Sequence, residues 1–173
     1  MTENAEQLYT RTLSEIRKKR WRSAIKIIKL RPDVVEDDWR FSLNLGWCYL
    51  SLHKFDTARK HMLQATRMKP ENPICKVGLG AVYLKRKQFK KAEVVFTESL
   101  RIKELLVTRA CLALAYLSQG KVAEAERIYL EGIRLKPKSS RIYTGYAAFL
   151  SDVGRKTESQ RMEEKARKLQ RVN

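Results

Sequence analysis

The chain repeats itself with a period of about 34 residues. Ala24, Ala58, Ala92 and Ala125 are separated by 34, 34 and 33 positions, and each lies early in a segment whose apolar residues have helical spacing. A fixed period of this length is typical of arrays in which each repeat is a small supersecondary unit that contacts its neighbours. Few glycines and prolines and many helix-forming residues agree with it. We therefore predict an all-α repeat array.

Equivalent residues recur at several further positions of the period. The second repeat contains Leu45, Gly46, Tyr49, Phe55, Ala58, Met62, Ala65 and Pro70. The third contains Leu79, Gly80, Tyr83, Phe89, Ala92 and Phe96, and the fourth contains Leu112, Ala113, Tyr116, Val122, Ala125, Tyr129 and Pro137. This pattern resembles that of the tetratricopeptide repeat. The resemblance implies a right-handed superhelical solenoid of about five antiparallel helical hairpins.

The expected organisation is a single array over residues 1–173. An atypical first hairpin covers residues 4–38, three repeats cover 39–72, 73–105 and 106–139, and a last hairpin with a capping helix covers 140–173. The third repeat is one residue short and has Glu104 and Leu105 where the family has proline, so its junction is expected to be tight or continuous. The early tryptophan of the family is replaced by Ser42, Lys76, Arg109 and Tyr143.

Small residues mark the expected seam within each hairpin. On a helix from about Trp39 to Ser51, Gly46 shares one stripe with Leu45 and Tyr49, facing Ala58 and Met62 of the next helix. Glycine inside a helix costs about 1 kcal/mol relative to alanine. Its presence therefore predicts a close approach of the two helices.

The first helix of each repeat has a second stripe on the side away from the seam. In the tetratricopeptide family such stripes line a shared concave groove, and the alternative is burial between adjacent hairpins. We predict a partner groove because an exposed apolar concavity can bury a peptide or helix. Its residues are Arg40, Leu43, Asn44, Trp47, Ile74, Val77, Ala81, Val107, Ala110 and Leu114.

The chemistry of this groove is expected to be apolar. Some family members clamp a partner's terminal carboxylate with lysines, asparagines and an arginine, and only Asn44 matches that set here. We expect Trp47 to be an anchor because large aromatic side chains dominate many interfaces. A base-reading code for RNA is not expected, because Leu43, Val77 and Ala110 cannot hydrogen-bond base edges through their side chains.

The charge is the second informative feature of the sequence. Thirty-seven Lys and Arg residues against 19 Asp and Glu residues give a formal net charge of +18. This excess predicts either a solvated surface or attraction to an acidic protein, nucleic acid or anionic membrane. The densest positions form a predicted basic edge at two hairpin turns. They are Arg17, Lys18, Lys19, Arg20 and Arg22 in the first hairpin and Lys85, Arg86, Lys87, Lys90 and Lys91 in the third.

Catalysis has little support in the sequence. His53 and His61 are the only histidines, no catalytic constellation surrounds them, and Cys48, Cys75 and Cys111 lack metal-ligand spacing. We expect a non-enzyme without metal or cofactor, with reduced thiols and a cytoplasmic location. No stretch has the length and apolarity of a transmembrane helix.

Two hypotheses follow. The preferred function is a non-catalytic adaptor or assembly factor that binds an apolar peptide or helix of another protein in the groove, helped by long-range attraction if that partner is acidic. The alternative is an RNA-associated or anionic-surface-associated protein that binds through its basic turns without sequence specificity.

Overall fold

The computed structural model describes residues 4–171, apart from the side chains of residues 34 and 35, and all regular structure in that range is α-helical. The described helices, in chain order, are α1 (Ala5–Arg17), α2 (Trp21–Lys29), α3 (Pro32–Val35), α4 (Trp39–Ser51), α5 (Phe55–Met68), α6 (Pro73–Lys85), α7 (Phe89–Ile102), α8 (Leu106–Leu117), α9 (Val122–Leu135), α10 (Ser140–Asp152) and α11 (Lys156–Arg171). The predicted all-α fold is confirmed.

The helices belong to two compact units. Unit 1 ends at Gln88 and contains α1 to α6, whereas unit 2 begins at Phe89 and contains α7 to α11. The boundary therefore lies between the two helices predicted for repeat 73–105.

Unit 1 is built from helical hairpins. Helix α1 packs against α2 and α4 packs against α5, and the links, residues 18–20 and 52–54, have three residues each. Links this short place neighbouring helices antiparallel. Helix α4 also packs against α2, and α6 packs against α4 and α5, so each first helix contacts the preceding hairpin.

Unit 2 repeats the same arrangement. Helix α7 packs against α8, α8 pairs with α9, and α10 pairs with α11. The last helix has a charged surface and one buried stripe, which includes Ser159 and Ala166. The Ser159 hydroxyl donates a hydrogen bond of 2.8 Å to the Ala147 carbonyl oxygen and so ties α11 to α10. This is the arrangement expected of a capping helix.

The turns after the first helices share one left-handed backbone conformation. Lys19, His53 and Lys87 have φ values of 56°, 58° and 57°, and Gly120 and Gly154 have 73° and 83°. These positions follow the repeat period, and each lies in the link after a first helix. The next amide then reaches back to the last turn of that helix, as in the 2.9 Å bond from the Lys54 N–H to the Tyr49 carbonyl. Such a left-handed residue satisfies the last carbonyls of the helix.

Met62 occupies the seam between α4 and α5. Its side chain is fully buried, and a Cβ placed on Gly46 would lie 2.7 Å from its Sδ atom. This contact confirms the predicted approach of α4 to α5. A Cβ on Gly78 would lie 2.5 Å from the same sulfur and 3.2 Å from Cδ1 of Leu43. Gly78, which helical spacing places on the predicted groove stripe, is therefore a packing position of α6 against the preceding hairpin.

Two junctions follow α2 and α7. Pro32 follows α2 and is the first residue of the short α3, where its missing N–H costs nothing. Residues 103–105 separate α7 from α8, so the junction is tight but the helix is not continuous. Arg109 donates to Glu104 across this link at 3.0 Å. It also bonds Glu131 of α9 at 3.1 Å, with only 4% of its side chain exposed.

Candidate protein-binding site

Arg40 is held in place by unit 1 itself. Its guanidinium donates to Asp38 at 2.7 Å and to Glu6 of α1 at 2.6 Å, and it lies 4.5 Å from the centre of the Tyr9 ring. The hydrogen bonds to these carboxylates raise the pKa of Arg40 above its usual value, with Asp38 the larger cause. Arg40 therefore joins α1 to α4, and its charge is already balanced.

Asn44 lies one helical turn further along the same stripe of α4. Its side chain is 7% exposed, and its Nδ2 is buried without a hydrogen-bond partner. A buried donor left unpaired costs about 1–3 kcal/mol. Trp47, the next residue of the stripe, is half-buried. The sequence predicts that Asn44 and Trp47 line the partner groove, and the structure adds that the Asn44 amide is unsatisfied.

The other predicted groove residues of unit 1 divide into two groups. Leu43 and Val77 are 8% and 4% exposed, because they pack between successive hairpins. They therefore offer little surface to a partner, which was the alternative that the sequence left open. Ile74 is 40% exposed and Ala81 is half-buried, so α6 retains an accessible apolar edge.

In unit 2 the predicted stripe lies on α8. Val107 and Leu114 are 52% and 50% exposed, and Ala110 between them is half-buried. Helix α8 packs against α7, α9 and α10 through its other faces. This stripe is more open than that of α4, and it is entirely apolar.

The predicted basic edge lies at turns. All five cations of the first cluster are exposed, and Lys18 and Arg20 approach one carboxylate, Glu15, at 3.8 and 3.6 Å. Lys85 and Lys87 at the end of α6 are exposed, whereas Arg86 is paired with Asp56 at the start of α5. That pair connects the end of α6 to the start of α5 within unit 1. Lys90 and Lys91 are exposed on α7 of unit 2.

Sequence reasoning missed the contribution of α1 to the α4 stripe. Glu6 and Tyr9 of α1 are the residues that contact Arg40. Glu6 and Arg40 are 34 residues apart and thus occupy equivalent positions of successive repeats. The period itself was the signal that could have identified this pair.

Burial and ring stacking describe the thiols and histidines that the sequence singled out. Burial raises the pKa of the Cys48 and Cys75 thiols to about 11, which keeps them protonated. His53 is exposed, and His61 stacks on Tyr49 with a ring separation of 5.4 Å. Within residues 4–171 no three potential metal ligands cluster, and no helix has the length and apolarity needed to cross a bilayer.

Known proteins share this architecture. A protein from Thermus thermophilus, TTC0263, described as a thermophilic TPR protein, superimposes with a TM-score of 0.81 at 15% identity, covering 94% of this chain and 89% of that one. PilF of Pseudomonas aeruginosa gives a TM-score of 0.78 at 12% identity, with 95% of this chain and 75% of that one covered. MamA of Desulfovibrio magneticus RS-1 gives 0.73 at 17% identity, with 100% and 98% covered. These likenesses establish the fold.

Sequence comparison gives the family. No curated protein matches the chain significantly. Two family models, both described as tetratricopeptide repeat, match residues 43–104 and 105–136, which together are more than half of the chain. This fold typically provides a non-catalytic scaffold for protein–protein interaction. The repeat period, the helical hairpins and these matches lead to one conclusion: the chain belongs to the tetratricopeptide repeat family.

Proposed function

We propose that the protein is a non-catalytic adaptor that binds an apolar segment of another protein against α4 and α6 of unit 1. The observation that carries the proposal is the unpaired Nδ2 of Asn44, which lies between the fixed Arg40 and the half-buried Trp47. Most buried polar groups have a partner, so an exception requires an explanation. A ligand that accepts a hydrogen bond from this amide supplies one.

The chemistry of the stripe favours an extended segment over a helix. The carbonyl groups of a helix interior are occupied by its own hydrogen bonds, whereas an extended peptide presents free carbonyl oxygens. Such a carbonyl would accept from Asn44 once the amide turns outward. Trp47 and the exposed Ile74 would then cover apolar side chains of the same segment. In unit 2, Val107 and Leu114 offer a second apolar contact of the same kind.

Affinity capture with matched variants tests this proposal. Immobilised wild-type protein, Trp47→Ala and Asn44→Ala are compared with Lys136→Ala, which alters an exposed turn of unit 2, and bound proteins are identified by mass spectrometry. We expect at least one partner that the wild type and Lys136→Ala retain and both stripe variants lose. Its binding should change little with salt, because the contact is apolar. Partners that the stripe variants retain in full would contradict the proposal.

A second candidate function rests on the basic turns. Arg17, Lys19, Lys85 and Lys87 are exposed at turns of unit 1 and form no ion pair with a carboxylate in the described part of the chain. Such a surface would attract RNA or an anionic membrane without sequence specificity, and binding would weaken steeply with added salt.

One salt titration separates the two candidates. Binding of oligouridylate and of vesicles containing phosphatidylserine is measured for the wild type, for Trp47→Ala and for the triple variant Lys87→Glu, Lys90→Glu, Lys91→Glu. Binding through the basic turns predicts that the triple variant loses affinity while Trp47→Ala does not. Polyanion binding that the triple variant retains would exclude Lys87, Lys90 and Lys91 as the site.

A further inference from the structure

A pocket opens in unit 1 between the turns of the first two hairpins. It has a volume of about 280 Å³, and it is lined by Arg22, Ile25, Tyr49, Leu52 and Lys54. A second depression of about 350 Å³ adjoins it, shares Arg22 and Leu52, and adds Lys19, Arg20, Trp21 and Ser23. No acidic side chain is among the described residues that line either one.

Two of the residues that line this pocket are cations without a carboxylate partner among the described residues. Arg22 and Lys54 are exposed, and neither forms an ion pair with any carboxylate that the structure describes. The nearest carboxylates along the chain are already used: Glu15 approaches Lys18 and Arg20, and Asp56 is paired with Arg86. Positive charge is therefore concentrated at the rim without local compensation, and an anion would be attracted to it.

The other three side chains that line the pocket are uncharged. Ile25 and Leu52 are half-buried aliphatic side chains, and Tyr49 is 8% exposed. The Tyr49 ring stacks on His61 with an interplanar angle of 7°, and Lys29 Nζ lies 6.0 Å from its centre. Because the ring is covered in this way, it is not available to stack with a nucleic acid base. Aliphatic walls instead suit an aliphatic side chain.

We propose that this pocket binds an acidic, hydrophobic segment of a partner protein, in which a leucine-like side chain enters between Ile25 and Leu52 and an adjacent carboxylate contacts Arg22 and Lys54. An arginine and a lysine can each donate charge-assisted hydrogen bonds to such a carboxylate. The site is separate from the α4 and α6 stripe and does not depend on it. It gives the high net charge a specific role at one turn edge.

Direct peptide binding to the whole 173-residue chain tests the pocket. The probe is a dye-labelled hexapeptide of alternating glutamate and leucine, followed by fluorescence anisotropy at an ionic strength of about 0.15 M. Arg22→Glu with Lys54→Glu is compared with Arg134→Glu with Lys136→Glu, which changes the net charge equally at a turn of unit 2. We expect the first pair to weaken binding about tenfold or more and the second pair to change it less than about twofold.

Further arms separate this site from general polyanion binding. A hexapeptide of alternating glutamate and serine should bind at least about tenfold more weakly, because it lacks the aliphatic group. Leu52→Ser, shown to be folded by circular dichroism, should weaken binding of the leucine peptide but not of the serine peptide. Trp47→Ala should leave the affinity for the leucine peptide unchanged, so binding at the pocket is measured independently of the proposed stripe. Equal binding of both peptides, equal losses in both charge-reversal pairs, or preferential binding of oligouridylate through Arg22 and Lys54 would overturn the proposal.

Discussion

At the scale of single residues, Met62 determines how closely three helices of unit 1 approach. It is fully buried, and its sulfur lies where a Cβ on either Gly46 or Gly78 would stand. The sequence revealed the first contact because Gly46 belongs to the hairpin seam of the repeat. It did not reveal the second, because stacking between hairpins depends on how far a flexible side chain reaches.

The contact with Gly78 is testable by a double-mutant cycle. Gly78→Ala should destabilise the protein by about 1–2 kcal/mol, because overpacking against Met62 exceeds the helix-propensity gain of about 1 kcal/mol. In a Met62→Ala background the same change should be neutral or stabilising. Urea unfolding measures both values, and an identical cost in the two backgrounds would show that Met62 does not mediate the effect.

His61 should make stability depend on pH near neutrality. Burial lowers its pKa, and the nearby Lys60 and Lys29 lower it further. The unfolded chain therefore takes up the proton first, near the ordinary value of about 6.5, and stability falls as the pH drops from 7 towards 5. The carboxylates with lowered pKa, such as Asp38 and Glu93, remain ionised in this window.

His61→Phe is the matched control for that effect. It keeps an aromatic ring against Tyr49, whose ring lies 5.4 Å away, and removes both the titration and the unpaired Nδ1. The variant should lose less unfolding free energy than the wild type between pH 7 and 5. Parallel pH profiles for the two proteins would assign the loss to other groups.

At the scale of elements, the left-handed turn residue ends every first helix. Only Gly and a few polar residues adopt this conformation at low cost, and Lys19, His53 and Lys87 each carry a Cβ there. Lys87→Gly should stabilise the protein by up to about 1 kcal/mol, whereas Arg59→Gly within α5 should destabilise it by about that amount. Thermal unfolding compares the two, and equal signs would be inconsistent with backbone strain at the turn.

The converse change tests strain without a steric contact. A Cβ on Gly120 would have nothing within 4 Å, yet its φ is 73°. Gly120→Ala should therefore destabilise unit 2 by about 1 kcal/mol through the backbone alone. A neutral result would mean that the turn relaxes.

The elements were predictable where local rules determine them. The bounds of α4, Trp39–Ser51, match the sequence prediction because the repeat signature and the apolar spacing agree there. The α7–α8 junction was not determined, because its form depends on Arg109, a residue that replaces an aromatic position and bonds Glu104 and Glu131. Likewise, the accessibility of Leu43 and Val77 depends on the stacking of neighbouring hairpins.

At the scale of the whole molecule, the net charge of +18 should oppose compactness. Added potassium chloride screens this repulsion, so the melting temperature should rise between low and moderate salt. The rise should be smaller in Arg134→Glu with Lys136→Glu, which reduces the net charge. A fall in melting temperature would instead show that ion pairs such as Arg155 with Glu126 outweigh the repulsion.

The unpaired amide of Asn44 lowers the stability of the free protein, and the same amide is proposed to bind the partner. Asn44→Leu removes a donor that the free protein leaves unsatisfied, so it should raise the unfolding free energy by about 1 kcal/mol while abolishing partner capture. Directed evolution for heat resistance alone would tend to discard this asparagine, whereas selection for the assembled complex would keep it.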